Sequence, residues 1–297
     1  ESDESLRLDS SLVYDEARNR FSAFMITPGS IQEFGLTTPD LRVLLMNHVA
    51  LAQPKGFARK EFLPNMAGNF IIVNNETGEV RGTENTTKGY GGSQIVQEFP
   101  RQISSNADNG TTYEINNWFS YSSIGLYARI RSSYPGFHNL IRAAGYDLDK
   151  EFRYSFISES EVYTVFVPSN EAVAAYNTQG MSVEELRRLV LLHFVPGHIL
   201  FTDGNKPAGY YETTRISEAS SQFATFYTSM NIKTDVDVIR IMAKDGSVYA
   251  EAHESPATNI ILGRTLGTGN ETIRNILSNG VIHEINRVLD FNQLDTK

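Results

Sequence analysis

His193 and His198, five residues apart, have the spacing that comes nearest to a metal site in this 297-residue chain. Zinc takes four ligands in a tetrahedron. Pro196-Gly197 lies between the two rings and breaks the helical register that could align them, and no third ligand follows nearby. His283 and Glu284 are an adjacent base and acid. Neighbours on a strand point to opposite faces, so the pair cannot cooperate in proton transfer. Asp203-Gly204-Asn205 offers the oxygens that calcium takes, although a lone acidic turn is far more often only a turn. There is no Gly-x-Ser-x-Gly elbow and no P-loop. Gly263-Arg-Thr-Leu-Gly-Thr-Gly269 lacks the strand–helix setting of a dinucleotide fingerprint. The absence of cysteine removes disulfides, thiolate zinc sites, iron–sulfur clusters and thiol catalysis together. The residues therefore predict no enzyme, no catalytic group, no metal and no cofactor.

What remains for binding is aromatic. Tyr210 and Tyr211, with Phe226 and Tyr227, bracket a stretch that reads as a flexible insert. Exposed rings of this kind stack on sugars or anchor protein contacts; the plainer reading is that they cover the core. Tyr90, in Lys88-Gly-Tyr90-Gly-Gly92, stands in a Gly-rich loop that would present it, against the plainer reading of a connector. Asn75, Asn85, Asn109 and Asn270 head glycosylation sequons in predicted loops, a number that chance supplies in a chain this rich in Asn, Ser and Thr. A net charge of −9 with no Lys/Arg run repels phosphate backbones and anionic lipid, which argues against nucleic acid and membrane surfaces as partners. No apolar stretch has the length of a membrane span.

These residues hang on a repeated framework. Leu41, Leu44, Leu45 and His48 recur as Leu186, Leu189, Val190 and His193, with the i, i+3, i+4, i+7 spacing of one helix face. Each half then closes on the same phrase, Glu114-Ile115-Asn116 and Glu284-Ile285-Asn286. Two landmarks in the same order argue for duplication. Glu114 lies 66 residues after His48 and Glu284 lies 91 after His193, so the second copy is longer by about 25 residues (91 − 66). Thr38-Pro39-Asp40 reads as the cap, first residue and first-turn acid of a helix through His48. Ser182-Val-Glu-Glu185 is a capping box for its counterpart through His193, stopped by Pro196-Gly197. Phe70–Val73 with Glu79–Arg81, and Val238–Met242 with Ser247–Tyr249, read as hairpins. A helical preface, Leu126 to Asp147, precedes the strand Tyr163–Val167. The first half offers Phe21–Ile26 as that strand's equivalent.

Thr164-Val-Phe166-Val-Pro168-Ser169-Asn170-Glu171-Ala172, then Leu192-His193-Phe-Val195-Pro196-Gly197, then Asn279-Gly280-Val-Ile-His283-Glu-Ile-Asn286-Arg-Val-Leu289 resemble the three landmarks of a fasciclin domain. They stand in order over nearly all of residues 124–291. Residues 1–122 resemble the same domain more weakly, through His48-Val49, Asn109-Gly110 and Glu114-Ile115-Asn116, with the opening strand reduced to Phe24-Met-Ile-Thr27-Pro28. The resemblance implies an α+β fold of two fasciclin-like domains, 1–122 and 123–297. Each would be a β-sandwich or wedge core with helices packed at one end. Membership of an extracellular adhesion family without catalysis or cofactor is also implied. The motif residues Thr164, Phe166, Pro168, Asn170, His193, Asn279, Gly280 and His283, with His48 and Asn116 in the first half, would be structural. Ser169 is placed to cap a short helix, Asn279-Gly280 to supply a positive-φ turn, and both stripe-ending histidines to bond backbone in the core. Where the family has a Tyr before the helix histidine, this chain has Leu192 and Asn47. Where animal members carry Asp-Ile for integrin-type contacts it has Asn275-Ile276 and Gln102-Ile103, so that route is not expected.

The expected function is non-enzymatic adhesion at the cell surface or outside the cell, through protein or glycan. The alternative is a surface polysaccharide-binding module of a bacterial lipoprotein, held to the outer membrane by a lipid anchor outside this chain.

Overall fold

The computed structural model describes residues 12–27, 30–76, 78–83, 101–115, 119, 121–122, 124–253, 265–266, 271–272 and 276–297. Two compact units divide the chain, Glu1–Tyr121 and Ser122–Lys297. Helices and sheets are mixed in both, an α+β composition.

In the second unit, β11 (Tyr163–Pro168) lies at the centre. It runs parallel to β20 (Gly280–Ile285) and antiparallel to β12 (Phe194–Pro196), and β19 (Ile276–Leu277) completes the order β12-β11-β20-β19. Its apolar run is continuous because both faces are covered. Val165, Val167 and Ile282 meet the helices α2 (Leu126–Ser133), α3 (Pro135–Ala143) and α5 (Val183–Leu191), through Ile130, Phe137, Ile141 and Val190. On the other face Phe166, Val195 and Ile285 meet a second sheet, β13 (Gly209–Ile216), β14 (Tyr227–Asp235), β15 (Val238–Met242) and β16 (Val248–His253), an antiparallel meander. The strands β14 and β15 pair only over Ile232–Asp235 and Val238–Ile241. Beyond that they splay, and the C-terminal residues enter between them: Ser229 and Lys297 exchange two backbone bonds of 2.9 Å, and Asp295 bridges Asn231 and Met242.

The stretch read as a flexible insert is thus β13, with a register shift between Glu212 and Ile216, and a hairpin tip, 217–226, that leads into β14 at Tyr227. Tyr211, Thr213 and Arg215 point inward in β13 and alternate with exposed Tyr210 and Glu212. Helix α5 ends at Leu191, before His193, and Pro196 belongs to a strand, so Pro196-Gly197 is not what stops it.

The first unit has a meander of β1 (Leu12–Asp15), β2 (Arg20–Thr27) and β3 (Ser30–Gly35), then α1 (Thr38–Met46). A three-stranded sheet β4 (Lys60–Pro64), β5 (Phe70–Asn74), β6 (Glu79–Arg81) follows, and a pair β7 (Arg101–Ala107), β8 (Gly110–Glu114). Both predicted hairpins form, with Val73 opposite Val80 and Ile241 opposite Ala250. Helix α1 is capped one residue earlier than expected: Thr37 is the cap, and Asp40 closes a capping box with it. Phe21–Ile26 is not the equivalent of β11 in its pairing. It lies within β2, between β1 and β3, whereas β8 pairs with β7.

Candidate functional site

The two stripe-ending histidines do the same mechanical job. His193 is fully buried; its Nδ1 is bonded to the Leu189 carbonyl one helical turn back at 2.9 Å, and its Nε2 accepts from the Leu289 amide at 3.1 Å. His48 bonds the Leu44 carbonyl through Nδ1 at 2.8 Å and accepts from the Phe119 amide through Nε2 at 3.0 Å. Phe119 stands five residues after Glu114, as Leu289 does after Glu284 (119 − 114 = 289 − 284). Each ring therefore ties the end of its helix to the chain just past the closing phrase. Burial holds His193 neutral, with its pKa pushed down to about 4. The neutral tautomer uses one nitrogen as donor and the other as acceptor, which leaves none for a metal.

His283 is buried in β20, where its Nε2 bonds the Leu200 carbonyl at 2.8 Å and its ring stacks on Phe166, 5.5 Å between centroids. Burial lowers its pKa to about 4 as well. Thr164 holds the same segment from the other side, donating to the His198 carbonyl at 2.7 Å and accepting from the Leu200 amide at 2.9 Å. Pro168 is buried at the end of β11, opposite Ile285.

Two asparagines cap helices from a distance. Asn279 Oδ1 accepts from the Leu126 amide at 2.9 Å, supplying the N-terminus of α2 where Gly125 has no side chain to do so. Asn170 Oδ1 accepts from the Gly136 amide at 2.9 Å at the start of α3, also without a cap of its own. Asn170 in turn opens α4 (Asn170–Ala175), which Ser169 caps through the Ala172 amide. Gly280 does not adopt the positive φ expected of it. Glycine is required there for space: a Cβ would lie 2.4 Å from the Tyr163 carbonyl oxygen. Asn116 and Tyr90 lie outside the described residues.

The four described ring candidates separate. Tyr211 is buried at 9% exposure and packs in the core, its hydroxyl donates to the Pro207 carbonyl, and its ring meets His198 edge-on at 5.2 Å. Tyr210 faces outward, but its hydroxyl donates to both carboxylate oxygens of Asp295 at 2.9 and 3.0 Å, and Lys297 Nζ sits 3.9 Å from its ring centroid. It clasps the C-terminal segment. Phe226 and Tyr227 are exposed, at 54% and 45%, and Ile216 and Phe223 join them at 53% and 89%. Sequence reading passed over Phe223, although its signal is visible: it sits between serines and threonines at the turn of a hairpin.

A polar cluster that the sequence did not disclose ties α3 to the short strands β9 (Asp147–Leu148) and β10 (Arg153–Tyr154). His138 Nδ1 is 3.0 Å from the Tyr154 hydroxyl and its Nε2 is 3.6 Å from Asp147, which also accepts from the Tyr127 hydroxyl at 3.1 Å. Tyr154 is fully buried and its phenol is pushed well up by that burial, so no substrate reaches it and it does not ionise. Asp203 spends its carboxylate on the amide and side chain of Asn205 within their own turn. Among the described residues no group of three His, Asp or Glu could hold a metal, and no helix is long and apolar enough to cross a membrane. Of the sequons, Asn109 is exposed in the β7–β8 turn. Asn75 donates its amide to the Ala58 carbonyl and Glu61, and Asn85 and Asn270 lie outside the described residues.

Residues 133–255 match the family model of the fasciclin domain. No curated protein matches the chain. It is similar to a solved FAS1 domain pair from the insect cell adhesion molecule fasciclin I, at 11% identity and a TM-score of 0.36 over 85% of this chain and 80% of that one.

Proposed function

We propose that this chain, with a fasciclin domain in its second half, is a non-enzymatic extracellular or cell-surface adhesion protein whose contact element is the β13–β14 hairpin. One observation carries the reading. The described polar motif residues are bonded into the fold, while Ile216, Phe223, Phe226 and Tyr227 stand exposed along one hairpin. Exposed clusters of large apolar side chains mark contact sites. The first half is a divergent copy in this proposal, supported by the shared histidine clamp and its register. The test measures retention of the chain on immobilised cells, glycans and matrix proteins. The expected result is capture that falls at least about tenfold in the Phe226→Ala/Tyr227→Ala variant. Absence of capture on every surface would sink the contact reading, and turnover of generic ester or glycoside substrates would sink the non-enzymatic one. A surface polysaccharide-binding module of a bacterial lipoprotein is the second reading, favoured by the exposed Tyr227 ring; selective capture by glycans would identify it.

A further inference from the structure

We infer that the hairpin between Ile216 and Tyr227 is built to enter the interface of an electrically neutral lipid bilayer, with Phe223 as its apex. The inference rests on the hairpin being the contact element and names what that element contacts. Ile216 and Tyr227 face each other at its base. Ser221 and Ala224 pair across the tip, which places Gln222 and Phe223 at the turn. Phe223, at 89%, is the most exposed of the described large apolar residues, and Phe226, three residues on, is 54% exposed.

Three properties select lipid. The first is charge. From Ile216 to Tyr227 the only formal charge at neutral pH is Glu218, and its carboxylate lies 3.5 Å from Arg188 and 3.3 Å from Arg215. The tip beyond it is neutral, and a chain of net charge −9 gains nothing from anionic headgroups. The second is backbone satisfaction, because peptide groups entering an apolar medium must already be paired. The Ser217 amide donates to the Phe226 carbonyl, and Ser221 and Ala224 exchange bonds. The Ser220 hydroxyl both accepts from the Phe226 amide at 2.8 Å and donates to its carbonyl at 2.9 Å, and the Phe223 amide is held by the Ser221 hydroxyl. The third is shape. A convex two-residue apex suits a deformable interface, where aromatic rings settle at headgroup depth.

Flotation of the full chain with phosphatidylcholine vesicles tests this. Expected are binding that is indifferent to salt and not increased by phosphatidylserine, and a drop of about tenfold in partition for Phe223→Ser. Phe223→Trp should add emission that brominated phosphatidylcholine quenches. Because Phe223 is exposed, Phe223→Ser should keep the circular dichroism of the parent. Absence of vesicle binding, or binding that Phe223→Ser leaves unchanged, overturns the inference. Capture on glycans or matrix proteins without vesicle binding overturns it while the contact reading survives; failure on every surface removes both. A dimer dissolved by Phe223→Ser, seen by light scattering, would make a second copy the occupant and overturn it as well.

Discussion

At the residue scale the histidines set the response to acid. His193 and His283 are neutral in the fold, with pKa values of about 4, below the ordinary value of 6.5. The unfolded chain takes up protons as pH falls through the ordinary value, whereas the folded chain resists until about pH 4. Their stabilisation is therefore complete above the ordinary value and is lost as pH falls from there toward 4. Each contributes on the order of 3 kcal/mol to that loss. Urea midpoints at pH 7 and pH 5 should show the decline, and His193→Gln, less stable throughout, should decline less. A pH-independent midpoint across that window would refute the assignment. Gly280→Ala should cost about 2–3 kcal/mol, because the new carbon meets a backbone oxygen that cannot move aside. Gly209→Ala, with open space around it, should stay within about 0.5 kcal/mol in the same denaturation series. The histidine at the end of each stripe was legible from its spacing. Its bonding partner was not, since Leu289 and Phe119 lie 96 and 71 residues away. The partner of Tyr210 was illegible for the same reason: Asp295, which takes its hydroxyl, is 85 residues distant.

Elements carry the difference between the two halves. Leu45 and Val190 occupy equivalent places in the helical stripe, yet Leu45 is 60% exposed and Val190 is fully buried. Val190 lies under Phe137 and Ile141 of α3, and the first half has no counterpart to α2 and α3 among its described residues. Val190→Ala should therefore cost about 2 kcal/mol, and Leu45→Ala less than about 0.5. Thermal melts of the two variants compare them directly, and equal losses would mean that Leu45 is covered. Capping boxes and hairpins were readable because they are local, a few residues of turn and cap chemistry each. The strands β13 and β14 were not. Their inward positions include Thr213, Arg215 and Thr228, so apolar alternates with polar only over Met230–Lys233. Arg215 is tolerated there because Thr228 and Glu218 accept from it and Phe291 lies beneath its guanidinium, 3.8 Å from the ring centroid.

For the whole molecule, the closing phrase ends two different structures. In the second unit it ends β20, which is paired on both edges and buried between two cores. In the first it ends β8, a hairpin strand whose residues Gly110–Glu114 are exposed or half-buried. The described core beside that strand consists of Leu63, Ile71, Val73, Ile115 and Phe119, with Val80 and Tyr121 at its margin. The histidine clamp thus occurs in both halves, whereas among the described residues the central parallel pair occurs in the second. Amide exchange separates these states, since a strand at the centre of a core exchanges only on global opening and an exposed hairpin opens locally. The amides of Val165–Val167 and Val281–Ile285 should be the slowest in the chain. Those of Thr111–Glu114 should exchange faster by about 10³ or more, read peptide by peptide under native conditions. Protection of β8 equal to that of β20 would mean that the first half buries its closing strand as the second does.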